Sequence, residues 1–158
     1  MSTMENIPYS ELEIGTAASF SKSLTEDDLV LFARISGDVN PVHLDEAFAR
    51  DTPFKGRIAH GMWTGSVISA AVATVLPGPG TIYLEQNLQF RRPVRPGDEI
   101  TVQLTVTGKL DDAKRHVSLD CQVHNQDGVL VARGDARVIA PEWKVRLEKP
   151  VLPEIRIG

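Results

Sequence analysis

The chain has 158 residues, 42% apolar and 24% charged, with a formal net charge of −4. That length fits one domain, residues 1–158, because a chain near 150 residues buries roughly 70% of its unfolded surface, and the composition excludes disordered, collagen-like and coiled-coil classes. A negative balance gives no electrostatic reason to expect nucleic acid as a partner, since phosphate backbones call for clustered Lys and Arg.

Met1 to Ile7 has neither a basic region nor an apolar run, so no exported leader is expected and the cytoplasm is the expected compartment. A polar lead-in continues to a strand over Thr16 to Leu24. Thr25 followed by Asp28 approaches a capping box, and Leu29, Phe32 and Ala33 at helical spacing predict a short helix to about Ser36. The segment SGDVNPVHLD, residues 36–45, is dense in turn formers and reads as a structured loop, after which Asp45 caps a helical turn through Phe48. Ile58 to Leu76 reads as a helix apolar or small on every side, hence enclosed by other elements, and Pro77-Gly78-Pro79-Gly80 stops it. The charge-free run Gly61 to Leu84 is no membrane span, because that turn interrupts it short of the ~20 residues a bilayer needs.

From there the pattern has period two, clearest where Ile100, Val102, Leu104 and Val106 alternate with polar residues. Strands are predicted over Thr81 to Arg91, Arg115 to His124 and Val129 to Ile139 beside it, and Pro141, Pro150 and Pro153 mark residues 141–158 as an extended surface tail. One enclosed helix with about five antiparallel strands implies an α+β fold in which a curved antiparallel sheet wraps one long buried helix. Its unpaired sheet edges make dimerisation plausible.

Chemistry-bearing residues concentrate in the loop, where Asp38, Asn40, His43 and Asp45 fall within eight positions, with His60 entering the long helix. Asp and His together offer a carboxylate and a group that titrates near neutrality, a pair able to hold a water and exchange protons with it. Five residues apart with Pro41 between, Asp38 and His43 do not share a regular helix, and a turn is able to aim them at one point. Asp and Asn beside Gly and Pro also serve as plain caps and backbone partners, so the residues alone leave both readings open. Gly61, at a helix start, permits close approach to free N–H groups suited to a carbonyl oxygen, or simply makes room for packing.

Other candidates are weaker. No Gly-x-Ser-x-Gly surrounds Ser66 or Ser69. The single cysteine, Cys121, falls in phase with Val117, Leu119 and Val123, which makes it a core residue and leaves no internal disulfide; His116 and His124 lie on the wetter face. His43, Asp45 and His60 match no recurrent metal spacing. Arg91, Arg92 and Arg95 fit a solvated strand end or a phosphate contact.

SGDVNPVHLD followed by FKGRIAHGM, with the lead-in NIPYSELEIG and the stretch ATVLPGPGTIYL, closely resembles the R-specific enoyl-CoA hydratases of the MaoC-like family, in particular the short bacterial type that supplies monomers for polyhydroxyalkanoate synthesis. The resemblance covers nearly the whole chain. It implies a hot-dog fold and reversible hydration of trans-2-enoyl-CoA to (R)-3-hydroxyacyl-CoA, with no metal or redox cofactor. By motif position it makes Asp38 and His43 the catalytic pair, Asn40 and His60 supporting residues, the Gly61 N–H a donor to the thioester oxygen, and Ser69, Val72 and Val138 the acyl-pocket lining. A homodimer is implied as well, with CoA phosphates near surface cations. Trp63 would be a bulky neighbour of the carbonyl site. Two alternatives remain at this point, a hot-dog acyl-CoA thioesterase and a noncatalytic acyl-CoA binding subunit.

Overall fold

The computed structural model describes residues 2–158. Among these, the chain runs through β1 (Thr3–Glu5), a 3-10 turn (Tyr9–Glu11), β2 (Ala17–Ser23) and α1 (Glu26–Ser36). Two short helices, α2 (Pro41–Leu44) and α3 (Glu46–Arg50), precede the long helix α4 (Gly61–Thr74). Four long strands follow, β3 (Ile82–Phe90), β4 (Glu99–Asp111), β5 (His116–His124) and β6 (Leu130–Ile139), before the short β7 (Arg146–Glu148).

The main sheet is antiparallel with strand order β2-β4-β5-β6-β3. Period-two alternation places Ile100, Val102, Leu104 and Val106 on its inner face, each at most 1% exposed, and β5 adds Val117, Leu119, Cys121 and Val123 at 0%. Helix α4 packs on this face and touches β2 and β3, the two edge strands, as well as β4. A sheet whose two edges reach the same helix must curl around it, and this is the hot-dog arrangement expected from the sequence.

Helix α4 is shorter than the Ile58 to Leu76 expected. Ile58 to His60 is extended, and its donors are spent on neighbours: the Ile58 N–H on the Val42 carbonyl and the Ala59 N–H on the Val94 carbonyl. With those hydrogen bonds satisfied sideways, the helix begins only at Gly61. Nor does this chain by itself enclose the helix on all sides. Trp63, Val67, Ile68, Ala71 and Val72 are buried against the sheet, whereas Met62, Ser66, Ser69 and Ala73 are exposed, because one sheet covers only one side. The long helix has 14 residues, and among the described residues no helix is long and apolar enough to cross a membrane.

The two chain ends are more ordered than a polar lead-in and a free tail. Tyr9 and Leu12 enter the core, and β1 pairs with β7. Asn6 joins these ends: its side chain, 1% exposed, donates to the carbonyls of Pro79 and Trp143 and accepts from the Val145 N–H. Gly78 lies so close that an added Cβ would come 3.0 Å from Asn6 Cα, which only glycine at this positive φ avoids. Residues 150–158 carry no regular structure and are exposed.

Two expectations follow. Asn6→Ala leaves three backbone groups without partners and is expected to lower stability by about 1–3 kcal/mol, read as a shifted urea midpoint; an unchanged midpoint would remove the staple from the account. Burial pushes the Cys121 thiol up to about 11, so at neutral pH it stays protonated and unreactive. A thiol reagent should label Cys121 only after denaturation, and rapid native labelling would contradict its core placement.

Candidate active site

A capping box starts α1, with the Thr25 hydroxyl accepting from the Asp28 N–H and the Asp28 carboxylate accepting from the Thr25 N–H. The chain then turns through residues 37–40. Asp38 Oδ1 accepts the Asn40 N–H at 3.0 Å, and Asn40 Oδ1 accepts the Val42 N–H at 3.2 Å, capping α2 with Pro41 in its first turn. Plain backbone capping is therefore present, as one reading of the loop expected. It coexists with a second arrangement, because the capping turn throws His43 inward while Asp38 Oδ2 remains free to face it.

His43 is 7% exposed and its Nδ1 lies 2.8 Å from the Ile58 carbonyl. A carbonyl only accepts, so Nδ1 carries the proton and, in the neutral ring, Nε2 presents a lone pair. That Nε2 sits 3.9 Å from Asp38 Oδ2, too far for a direct hydrogen bond and suited to a water between them. Asp38 is half-exposed, so solvent reaches this gap from its side.

His60 completes the setting. Its Nε2 donates to the Asp38 carbonyl at 3.0 Å, and its ring stacks on His43 with centroids 3.8 Å apart and planes 25° from parallel. Phe32 packs on the same ring at 5.0 Å. The remaining His60 nitrogen, Nδ1, is buried without a hydrogen-bond partner, a cost accepted in holding the stack.

Asp38, His43 and His60 offer ligand atoms within 4.8 Å of one another. A metal must lie near the plane of each ligating imidazole, roughly 2.0–2.1 Å from its nitrogen. Stacked, nearly parallel rings aim their lone pairs along separate planes, so this set suits a water better than an ion. Asp45, the other acidic residue of the loop, instead caps α3 by accepting the Phe48 N–H. Arg57 ties the segment before Ile58 to the first residues of α1 and α3, Glu26 and Glu46, at 2.7 and 2.9 Å, and its hydrogen bond to Glu46 holds that carboxyl below the usual carboxylate range.

A cavity of about 270 Å³ opens beside His43. Gly61 and Thr64 of α4 form one side, while Phe54, Phe90 and Val131 give it a mostly apolar wall. Gly61, as the first residue of α4, has an N–H with no intrahelical acceptor, so a donor and His43 share one space. Arg91 and Arg92 also line it, and neither forms an ion pair among the described residues. Of the residues expected to hold an acyl chain, Val72 and Val138 are fully buried in the core and Ser69 is exposed on α4; none lines this cavity. Trp63 packs into the core instead of the cavity wall, since side chains of a first helical turn diverge by about 100° per residue. Phe54, Thr64 and Phe90 were not singled out from sequence; the signal for Phe90 was its phase with Gln86 and Leu88 on the inner face of β3.

Residues 10–127 match the family model described as MaoC like domain. The chain is 44% identical over 135 residues to an (R)-specific enoyl-CoA hydratase of Rhodospirillum rubrum, covering 84% of this chain and 91% of that one. The solved structure of the R-hydratase PhaJ1 from Pseudomonas aeruginosa superposes with a TM-score of 0.94 at 55% identity, covering 99% of this chain and all of the other. An (R)-hydratase from Aeromonas caviae involved in polyhydroxyalkanoate biosynthesis gives 0.78 at 42% identity, covering 82% and 98%. With a matched family model over most of its length, the same folded body and these relatives, this chain belongs to the MaoC-like family.

Proposed function

We propose that the protein is an R-specific enoyl-CoA hydratase, adding water reversibly and syn to a trans-2-enoyl-CoA to give the (R)-3-hydroxyacyl-CoA. The observation that carries this reading is the pair of acceptors, His43 Nε2 and Asp38 Oδ2, facing each other across 3.9 Å at the edge of the cavity that Gly61 lines. A water about 2.8 Å from each would give both its hydrogens to them at an angle near 90°, leaving an oxygen lone pair free.

The oxygen of that water bonds to C3 of the enoyl group while one of its protons passes to His43 Nε2. The electron pair of the double bond moves toward the thioester oxygen, where the Gly61 N–H meets the developing charge; one such donor is worth about 10²–10³ in rate. The proton held at Nε2 then returns to C2 from the same face, so one water supplies both new groups. Asp38 orients the water through its second hydrogen and offsets the positive charge on the imidazolium. All protons and electrons balance within water and substrate, so the proposed chemistry requires no metal or redox cofactor. Asn40 holds the loop and His60 holds the His43 ring plane. The unpaired Arg91 and Arg92 at the cavity suit the phosphates of CoA.

The reading includes a cytoplasmic homodimer. It is supported by the edge strand β3, whose outer ladder is unpaired, and by exposed Ile82, Leu84 and Met62 along β3 and α4, apolar surface that a second copy would cover. The role of the Aeromonas relative supports monomer supply for polyhydroxyalkanoate synthesis as the fate of the product. Ser69, exposed on α4, remains the proposed lining for the far end of a longer acyl chain, while Val72 and Val138 stand behind it in the core.

Asp38→Asn and His43→Gln are each expected to reduce crotonyl-CoA hydration by about 10²–10⁴, the scale of a positioned acid–base group, with an unchanged circular-dichroism spectrum. Near wild-type turnover in either would reject the dyad. Release of free thiol from the substrate would indicate a thioesterase instead, and binding without turnover a noncatalytic subunit. Sedimentation equilibrium should give twice the monomer mass; a monomer would reject the dimer.

A further inference from the structure

An ideal Cβ on Gly61 would come 3.2–3.4 Å from three ring atoms of Phe90, so the ring lies directly against the residue whose N–H meets the thioester oxygen. One turn further along α4, a Cβ on Gly65 would come 3.6 Å from Leu88 and 3.2 Å from the flexible end of Met62. Four helical residues advance about 6.0 Å and two strand residues about 6.6–6.8 Å, so the glycine row of α4 and the inward row of β3 run in step. The next position in the helical row is Ser69. Phe90 therefore stands between the space beside His43 and the small-residue stripe that leads along α4.

The cavity on the His43 side measures about 270 Å³, and Phe90 is part of its wall beside Gly61. Phe90 is 51% exposed and lies outside the buried core cluster, so it is a wall that a substitution removes without opening the core.

We propose that Phe90 sets the acyl-length limit of this enzyme: short enoyl groups react in front of its ring, and longer ones must displace it to reach the stripe of Gly65 and Ser69. This rests on the hydratase reading above. Truncating the ring lowers the barrier to long chains selectively, because the thioester end of every substrate binds alike.

The test is the ratio of kcat/KM for trans-2-octenoyl-CoA to that for crotonyl-CoA. In Phe90→Ala the ratio should rise at least about 10-fold, the discrimination of a single methylene in an apolar pocket, and in Phe90→Trp it should fall. Phe90→Leu gives the same reading, with a smaller rise, should the alanine variant be inactive on both substrates. An unchanged ratio in folded Phe90 variants, or a shift found only in Ser69→Leu, overturns the proposal. Failure of the wild-type protein to hydrate either substrate would instead reject the hydratase reading itself, and this proposal with it.

Discussion

The hydrogen bond from His43 Nδ1 to the Ile58 carbonyl is the contact on which the site depends. It fixes the tautomer, so that the ring's free lone pair faces Asp38, and it can form only because Ile58 to His60 is extended instead of helical. That extension is itself held by Val42 on one side and Val94 on the other. A tautomer choice inside the site is thus tied to where α4 begins, and the start of α4 in turn places the Gly61 N–H at the same cavity.

Around this bond, packing substitutes for further hydrogen bonding. The His60 ring packs against both His43 and Phe32, and the orphaned Nδ1 of His60 is tolerated because its other nitrogen holds the Asp38 carbonyl. Stacking of the two imidazoles fixes the plane of the His43 ring. The same stacking turns a group of metal-ligand types into a poor metal centre and leaves a water-sized gap between acceptors.

The sheet supplies what the loop lacks. Curling of β2 and β3 toward α4 brings Phe90 onto Gly61, closing the cavity with an apolar wall where the reacting carbons would lie. It also leaves one flank of α4 uncovered, with Met62, Ser66 and Ser69 exposed, so a second copy in the proposed dimer would complete the enclosure that the helix composition leads one to expect. The apolar all-round character of α4 belongs on this view to an assembly and not to one chain.

The sequence by itself determined the strand faces, the capping box at Thr25, the core position of Cys121 and the grouping of Asp38 and His43 in one turn-rich loop. Each of these is a matter of local periodicity or local hydrogen bonding, readable over a few residues. Where α4 starts, why Tyr9 and Leu12 are core, and the pairing of β1 with β7 were decided only in three dimensions, because backbone donors there find partners far away along the chain. The same holds for Phe90. Its alternation showed which face it would point to, but that its ring would lie on Gly61 depends on the curvature of a whole sheet, which no short stretch of sequence encodes.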